Sequence, residues 1–173
     1  MKSSNVALSG VLLALNMILL FGATMLPGIE LTLFAVSSFL TALVLMKTNP
    51  GGALVFFGAS SALGLLILPG KLALLPYLFF FGYYGIVKYF IEKSPLGKKP
   101  GKAGLVMETM AKLLVFLAAL AAGLLIFREL FFSGVKLPDY PVPILALAAA
   151  AAFVAYDYIF TLVIGQFRRY FKN

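Results

Sequence analysis

Residues 6–26 read VALSGVLLALNMILLFGATML, an apolar run whose polar side chains are Ser9, Asn16 and Thr24. A helix needs about 20 mostly apolar residues to cross a hydrocarbon core of about 30 Å, and this run supplies them. It stops at Pro27-Gly28, and the pattern then repeats down the chain. The spacing predicts helices over 6–26, 29–46, 52–68, 72–91, 105–132 and 144–167. Each break is a turn signal: Lys47-Thr48-Asn49-Pro50-Gly51, Pro69-Gly70-Lys71, Glu92-Lys93-Ser94-Pro95, and a loop rich in Pro and Gly over 133–143. The fold expected is all-α, a polytopic transmembrane six-helix bundle forming a single domain over 1–173. The run after Met1-Lys2-Ser3-Ser4-Asn5 reads as a retained first helix, with no small-residue cleavage site and soluble domain behind it.

Composition agrees with that pattern. The chain is 62% hydrophobic and 12% charged, where soluble domains hold roughly 45–50% apolar and about 25% charged residues. With so few charges to cover so much apolar surface, lipid takes the place of water. Cysteine and histidine are both absent. Disulfides, thiolate nucleophiles and Cys-based metal sites are excluded, as are the usual general base and zinc ligand. There is no phosphate-binding loop of the Gly-x-x-x-x-Gly-Lys-Ser/Thr type. The chain reads as non-enzymatic, with no catalytic residues, cofactor or metal.

The Lys and Arg side chains set the expected orientation, because they prefer cytoplasmic loops. With the N-terminus inside, Lys2, Lys47, Lys88, Lys93, Lys98, Lys99, Lys102, Lys112, Arg168, Arg169 and Lys172 fall on the cytoplasmic side. Only Lys71, Arg128 and Lys136 fall outside. An odd number of spans would put the basic 93–102 linker and the basic tail on opposite faces, so both termini are expected in the cytoplasm of a multi-pass protein of the cell membrane. The net charge of +8 follows from this asymmetry and from an anionic inner leaflet. The bilayer is the expected partner and nucleic acid is not.

Ionisable groups inside a membrane are costly and are candidates for function. Asp157 sits near the middle of the sixth predicted helix, and Lys112 lies about two turns into the fifth from the same side. At about 1.5 Å per residue their depths differ by roughly one turn, so Lys112 and Asp157 are expected to pair. Such a pair is read either as a structural ion pair or as a coupling carboxylate. Towards the outer ends lie Glu30, Lys71, Arg128, Glu129, Lys136, Asp139 and Tyr140. Glu30, Lys71 and Arg128, with Asn16 from mid-helix, form the candidate set for one outward-facing site. Asn16 is also read as a bond to a neighbouring helix. The aromatic run Tyr77 to Tyr84 is expected to face all round its helix, as lipid contact and core.

Small residues supply the last signal. Ala7, Gly10 and Ala14 share one helix face at i, i+3, i+7, and close approach of small residues is a main source of helix association in lipid. They are expected to form a partner-docking stripe. A similar pattern, Gly58 to Ala62, is expected to pack inside the bundle.

With these features the chain resembles the substrate-binding S-components of energy-coupling factor vitamin transporters. Gly10-x-x-x-Ala14 is similar to the Ala-x-x-x-Ala motif by which such proteins dock on a transmembrane coupling subunit. Pro27-Gly28-Ile29-Glu30, the Gly-rich third helix and Leu68-Pro69-Gly70 sit where that family often turns. The resemblance implies capture of a vitamin or similar small molecule at the outer ends of the helices. It also implies delivery through a coupling subunit and ATPase subunits. Arg128 and Lys71 would suit a carboxylate or phosphate on the substrate, and Asn16 an amide or ring edge. The first outer loop is only a few residues long, where many members have a longer one. The absence of His argues against a nickel or cobalt substrate, and the absence of Trp against thiamine. Two alternatives stand beside this reading: a non-transporting scaffold similar to the rod-shape-determining membrane subunit, and a stand-alone transporter.

Overall fold

A computed structural model describes residues 3–95, 102–126 and 142–170. Six α-helices occur among them: α1 (Ser3–Met25), α2 (Glu30–Lys47), α3 (Pro50–Ile67), α4 (Gly82–Lys93), α5 (Lys102–Ile126) and α6 (Val142–Tyr170). A π-helical segment, Tyr77–Phe81, leads directly into α4. No strand occurs among the described residues. Five helices are long and apolar enough to cross a membrane: α1, α2, α3, Gly104–Gly123 within α5, and Ala146–Arg169 within α6. Length and apolar composition together mark a multi-pass membrane protein. The chain divides into two compact units, Met1–Phe90 with Ile164–Asn173, and Ile91–Val163.

The breaks in the first unit follow from local chemistry. Gly28 adopts φ +96°, a left-handed conformation that only glycine takes without cost. The Glu30 carboxylate accepts from the Gly28 N–H at 2.8 Å, so the turn between α1 and α2 is tied by its own acid. Asn49 caps α3, its Oδ1 accepting from the Gly52 N–H at 2.7 Å, with Pro50 in the first turn. Gly52 is needed there, because a Cβ would lie 2.5 Å from the Thr48 hydroxyl. Asn5 Nδ2 donates to the Lys47 carbonyl at 2.9 Å, which places the start of α1 beside the end of α2 and makes the two antiparallel.

Helices α1, α2 and α3 pack on one another, and the π segment packs on α2. Two apolar layers fill the interior. One holds Leu20, Ala23, Phe34, Leu68, Leu74 and Tyr77; the other holds Leu40, Val44 and Phe56, with Leu12, Leu13, Leu19 and Leu43 against them. Between these layers the chain buries Asn16, Ser37, Thr41 and Ser60, all at 0% exposure.

In the second unit, Lys112 meets Asp157 and Phe116 stacks on Phe153, with ring centroids 4.7 Å apart and planes at 11°. Numbers rise along α5 while they fall along α6, so the two helices run antiparallel. Both contacts recur at i, i+4 on each helix, the spacing that keeps them on one face.

Several expected boundaries shift. The predicted fourth helix, 72–91, begins instead with a tight turn in which Leu74 and Leu75 donate to the carbonyls of Lys71 and Leu72. Helical winding follows from residue 75, passes through the π segment and ends at Lys93. The sixth helix starts earlier than expected and keeps Arg168 and Arg169 in its last turn, where cations oppose the negative end of the helix dipole. The expected end of the fifth helix, 127–132, lies outside the described residues, as do most of the basic linker and the 133–141 loop. Within the first unit Gly58 has no neighbour within 4 Å of an added Cβ among the described residues and Ala62 is exposed, so this pair does not pack inside that unit. Ser60 is the residue of that stretch that turns inward. In the aromatic run Tyr77, Phe80 and Tyr84 are buried and Phe79, Phe81 and Tyr83 half-buried, with Phe81 against Phe34 on α2 and Tyr83 against Phe57 on α3, so the rings meet neighbours on more than one side.

Candidate functional site

A chain of hydrogen bonds ties together every element of the first unit's core. The Ser37 hydroxyl on α2 donates to Asn16 Oδ1 on α1. Asn16 Nδ2 donates to the Tyr77 hydroxyl at 3.1 Å. Tyr77 and Ser60 are joined through their hydroxyls at 2.6 Å. Ser60 also lies 2.9 Å from the Phe57 carbonyl, and when its one proton goes there Tyr77 is the donor in the bond between them. In that arrangement the chain runs in one sense, from α2 through α1 and the π segment to α3. A buried polar group without a partner costs about 1–3 kcal/mol, and here each group answers the next. The Thr41 hydroxyl, one turn along α2 from Ser37, is buried on the same side of the helix, towards Tyr77.

The second unit holds an ionic cluster. Lys112 is 3% exposed, and its ammonium lies 3.0 Å from Glu92 and 3.5 Å from Asp157. It also donates to Glu108, one turn earlier on α5. An ammonium has three N–H donors, and three carboxylates meet them. They come from the end of α4, from α5 and from α6, and they are half of the six acidic residues in the chain. The structure therefore brings Lys112 and Asp157 together and adds two carboxylates that sequence reasoning missed. Glu108 carried a signal, because i, i+4 spacing to Lys112 places both on one helix face. Glu92 carried none, because the basic linker separates it from α5.

Asn16 does not join the outward site expected of it with Glu30, Lys71 and Arg128. Asn16 is 0% exposed and spends both ends of its amide inside the chain. Glu30 is half-buried and holds the turn at Gly28. Lys71 is exposed on the turn after α3. Asn16 lies nine residues before the end of α1, about 14 Å along the axis at 1.5 Å per residue. Leu20, Ala23, Phe34, Leu68 and Leu74 fill the interior on that side. Arg128 lies outside the described residues. The Ala7, Gly10 and Ala14 stripe is exposed on α1, and among the described residues nothing approaches within 4 Å of a Cβ placed on Gly10. Val11 and Ile18, both 67% exposed, continue the open side of the helix.

No protein-family model matches this chain, and no curated protein or solved structure is significantly similar to it.

Proposed function

We propose that this chain is a non-catalytic subunit of a membrane complex, seated in the cell membrane and docked on a partner membrane protein through α1. The observation that carries the reading is the open stripe of Ala7, Gly10 and Ala14 on a side of α1 that Val11 and Ile18 continue as apolar and exposed. In lipid there is no hydrophobic drive to join helices, so association depends on the close packing that small residues permit. The test is co-purification in mild detergent. Gly10→Leu with Ala14→Leu should abolish recovery of a membrane partner while the variant elutes as a folded species. Recovery unchanged by the double substitution would remove the docking role.

The proposal includes six spans with both termini in the cytoplasm. The winding from residue 75 to Lys93 supplies the extra span, since its 19 residues reach about 28 Å at 1.5 Å per residue. Cysteines introduced by Lys99→Cys and Lys136→Cys should react with an impermeant reagent from opposite sides of intact cells. Labelling of both from outside would refute this topology.

Two forms of the docking reading remain distinct. In the first, the chain resembles an S-component and delivers a vitamin-like small molecule to a coupling subunit driven by ATPases. Glu30, Lys71 and Arg128 would then meet the substrate without Asn16. In the second, it is a scaffold with no substrate. The internal engagement of Asn16 favours the scaffold. Mass spectrometry of the purified protein separates them: a stoichiometric small molecule supports capture, and none after purification from rich medium supports the scaffold.

A further inference from the structure

The π segment occupies a place where its geometry decides which residue meets α3. Gly82 donates to the Tyr77 carbonyl in the i+5 pattern of a π-helix. That extra residue puts Gly82 against Phe57 so tightly that a Cβ would lie 2.5 Å from Phe57 Cε2. In an α-helix, the i+4 residue, Phe81, would take the place above Tyr77 that Gly82 now holds. Phe57 also packs on Tyr77 and, edge-on, on Tyr83, with ring centroids 6.1 and 5.7 Å away. The Tyr83 hydroxyl donates back to the Phe79 carbonyl inside the segment, giving that carbonyl a partner where the winding departs from the α pattern. At the other end, the Tyr77 hydroxyl is gripped by Asn16 and Ser60.

We propose that Tyr77–Phe81 is a latched register switch. The hydroxyl of Tyr77, held between α1 and α3, keeps the segment wound as π; when the latch opens, the segment rewinds to α-helix and α4 advances by one residue. One residue of α-helix is about 100° of rotation and about 1.5 Å of rise. The buried residues of α4, among them Tyr84, Ile86 and Lys88, turn with it, and the Phe57 ring moves to admit Phe81. The switch thus links the buried hydrogen-bond chain to the face that α4 presents. It operates whichever form of the docking reading holds.

The absence of native cysteine makes the test direct. Nitroxide labels are placed by Phe90→Cys on α4 and Val55→Cys on α3, both exposed positions of the first unit, at 53% and 72%. Pulsed electron–electron resonance then reads their separation in bilayer nanodiscs. A helix about 10–12 Å across carries a label about 10 Å when it turns by about 100°. The unmodified latch should give one dominant distance. Tyr77→Phe and Ser60→Ala should each add a second discrete distance, displaced by up to about 10 Å, in at least a tenth of the molecules. One unchanged distance in the folded variants overturns the proposal, and Ser60→Ala decides alone if Tyr77→Phe does not fold. A featureless spread also overturns it, because that would report local unfolding in place of a second register.

Discussion

Asn16 and Lys112 are both polar side chains buried in apolar helices, but they are accommodated in opposite ways. Asn16 belongs to a neutral series in which each group satisfies one neighbour. Lys112 is a hub, one cation answering three anions from three segments. A series weakens link by link, since losing one hydroxyl leaves the remaining bonds in place. A hub fails at its centre, since losing the cation leaves three carboxylates facing one another. The two units therefore place their vulnerability differently: spread over α1, α2, α3 and the π segment in the first, and concentrated in one side chain in the second.

The sharpest way to break this contrast is Lys112→Met, which keeps the length of the stem and removes the charge. Removing one partner of a buried pair costs about 3–5 kcal/mol. The variant should fail to yield a monodisperse species in detergent, or should melt far below the parent protein when followed by circular dichroism. A variant as stable as the parent would show that the carboxylates have other support and that Lys112 is no hub. Next in size is Asn16→Leu, which strands the Ser37 hydroxyl and removes a donor from Tyr77. About 1–3 kcal/mol is expected, read as a lower melting midpoint with the helix content retained. Smallest is Asp157→Asn. It keeps a hydrogen-bond acceptor for Lys112 and leaves Glu92 and Glu108 in place, so about 1 kcal/mol is expected. Should Asp157→Asn prove as damaging as Lys112→Met, the cluster would be a single pair with two bystanders. If it spares stability but alters transport in a reconstituted complex, Asp157 is a coupling carboxylate.

Much of this architecture was legible before any coordinates, for a definite reason. Hydropathy over about 20 residues and Pro-Gly or Asn-Pro punctuation are local, and lipid imposes them on each helix separately. Depth along a helix is also local arithmetic, which is how Lys112 and Asp157 were matched. What stayed hidden depends on rotation about helix axes and on partners distant in sequence. Asn16 stood out as costly, but nothing in α1 states that Ser37 and Tyr77 will claim both ends of its amide. Glu92 reads as a polar helix end until the fold carries it to α5. The π segment is hidden for another reason. Its bulge shows in the Gly82 N–H reaching back five residues to the Tyr77 carbonyl, and the run Tyr77 to Phe81 has no period that distinguishes π from α winding. The candidate outward site was proposed from loop membership, a weak guide, because residues at the same end of a bundle need not point at the same space.

The direction of the buried hydrogen bonds has one more consequence. With Ser60 donating to the Phe57 carbonyl, Ser37, Asn16, Tyr77 and Ser60 each donate one hydrogen bond forward, and the last acceptor is that carbonyl. A carbonyl has no proton to return, so the series cannot be reversed from that end. Carrying a proton by successive hops would require the whole array to turn over after each transfer, and the Asn16 amide would have to take up and release a proton against its own chemistry. The array is therefore an insulator across the bundle: a line of aligned dipoles that supports a fixed field and passes no current.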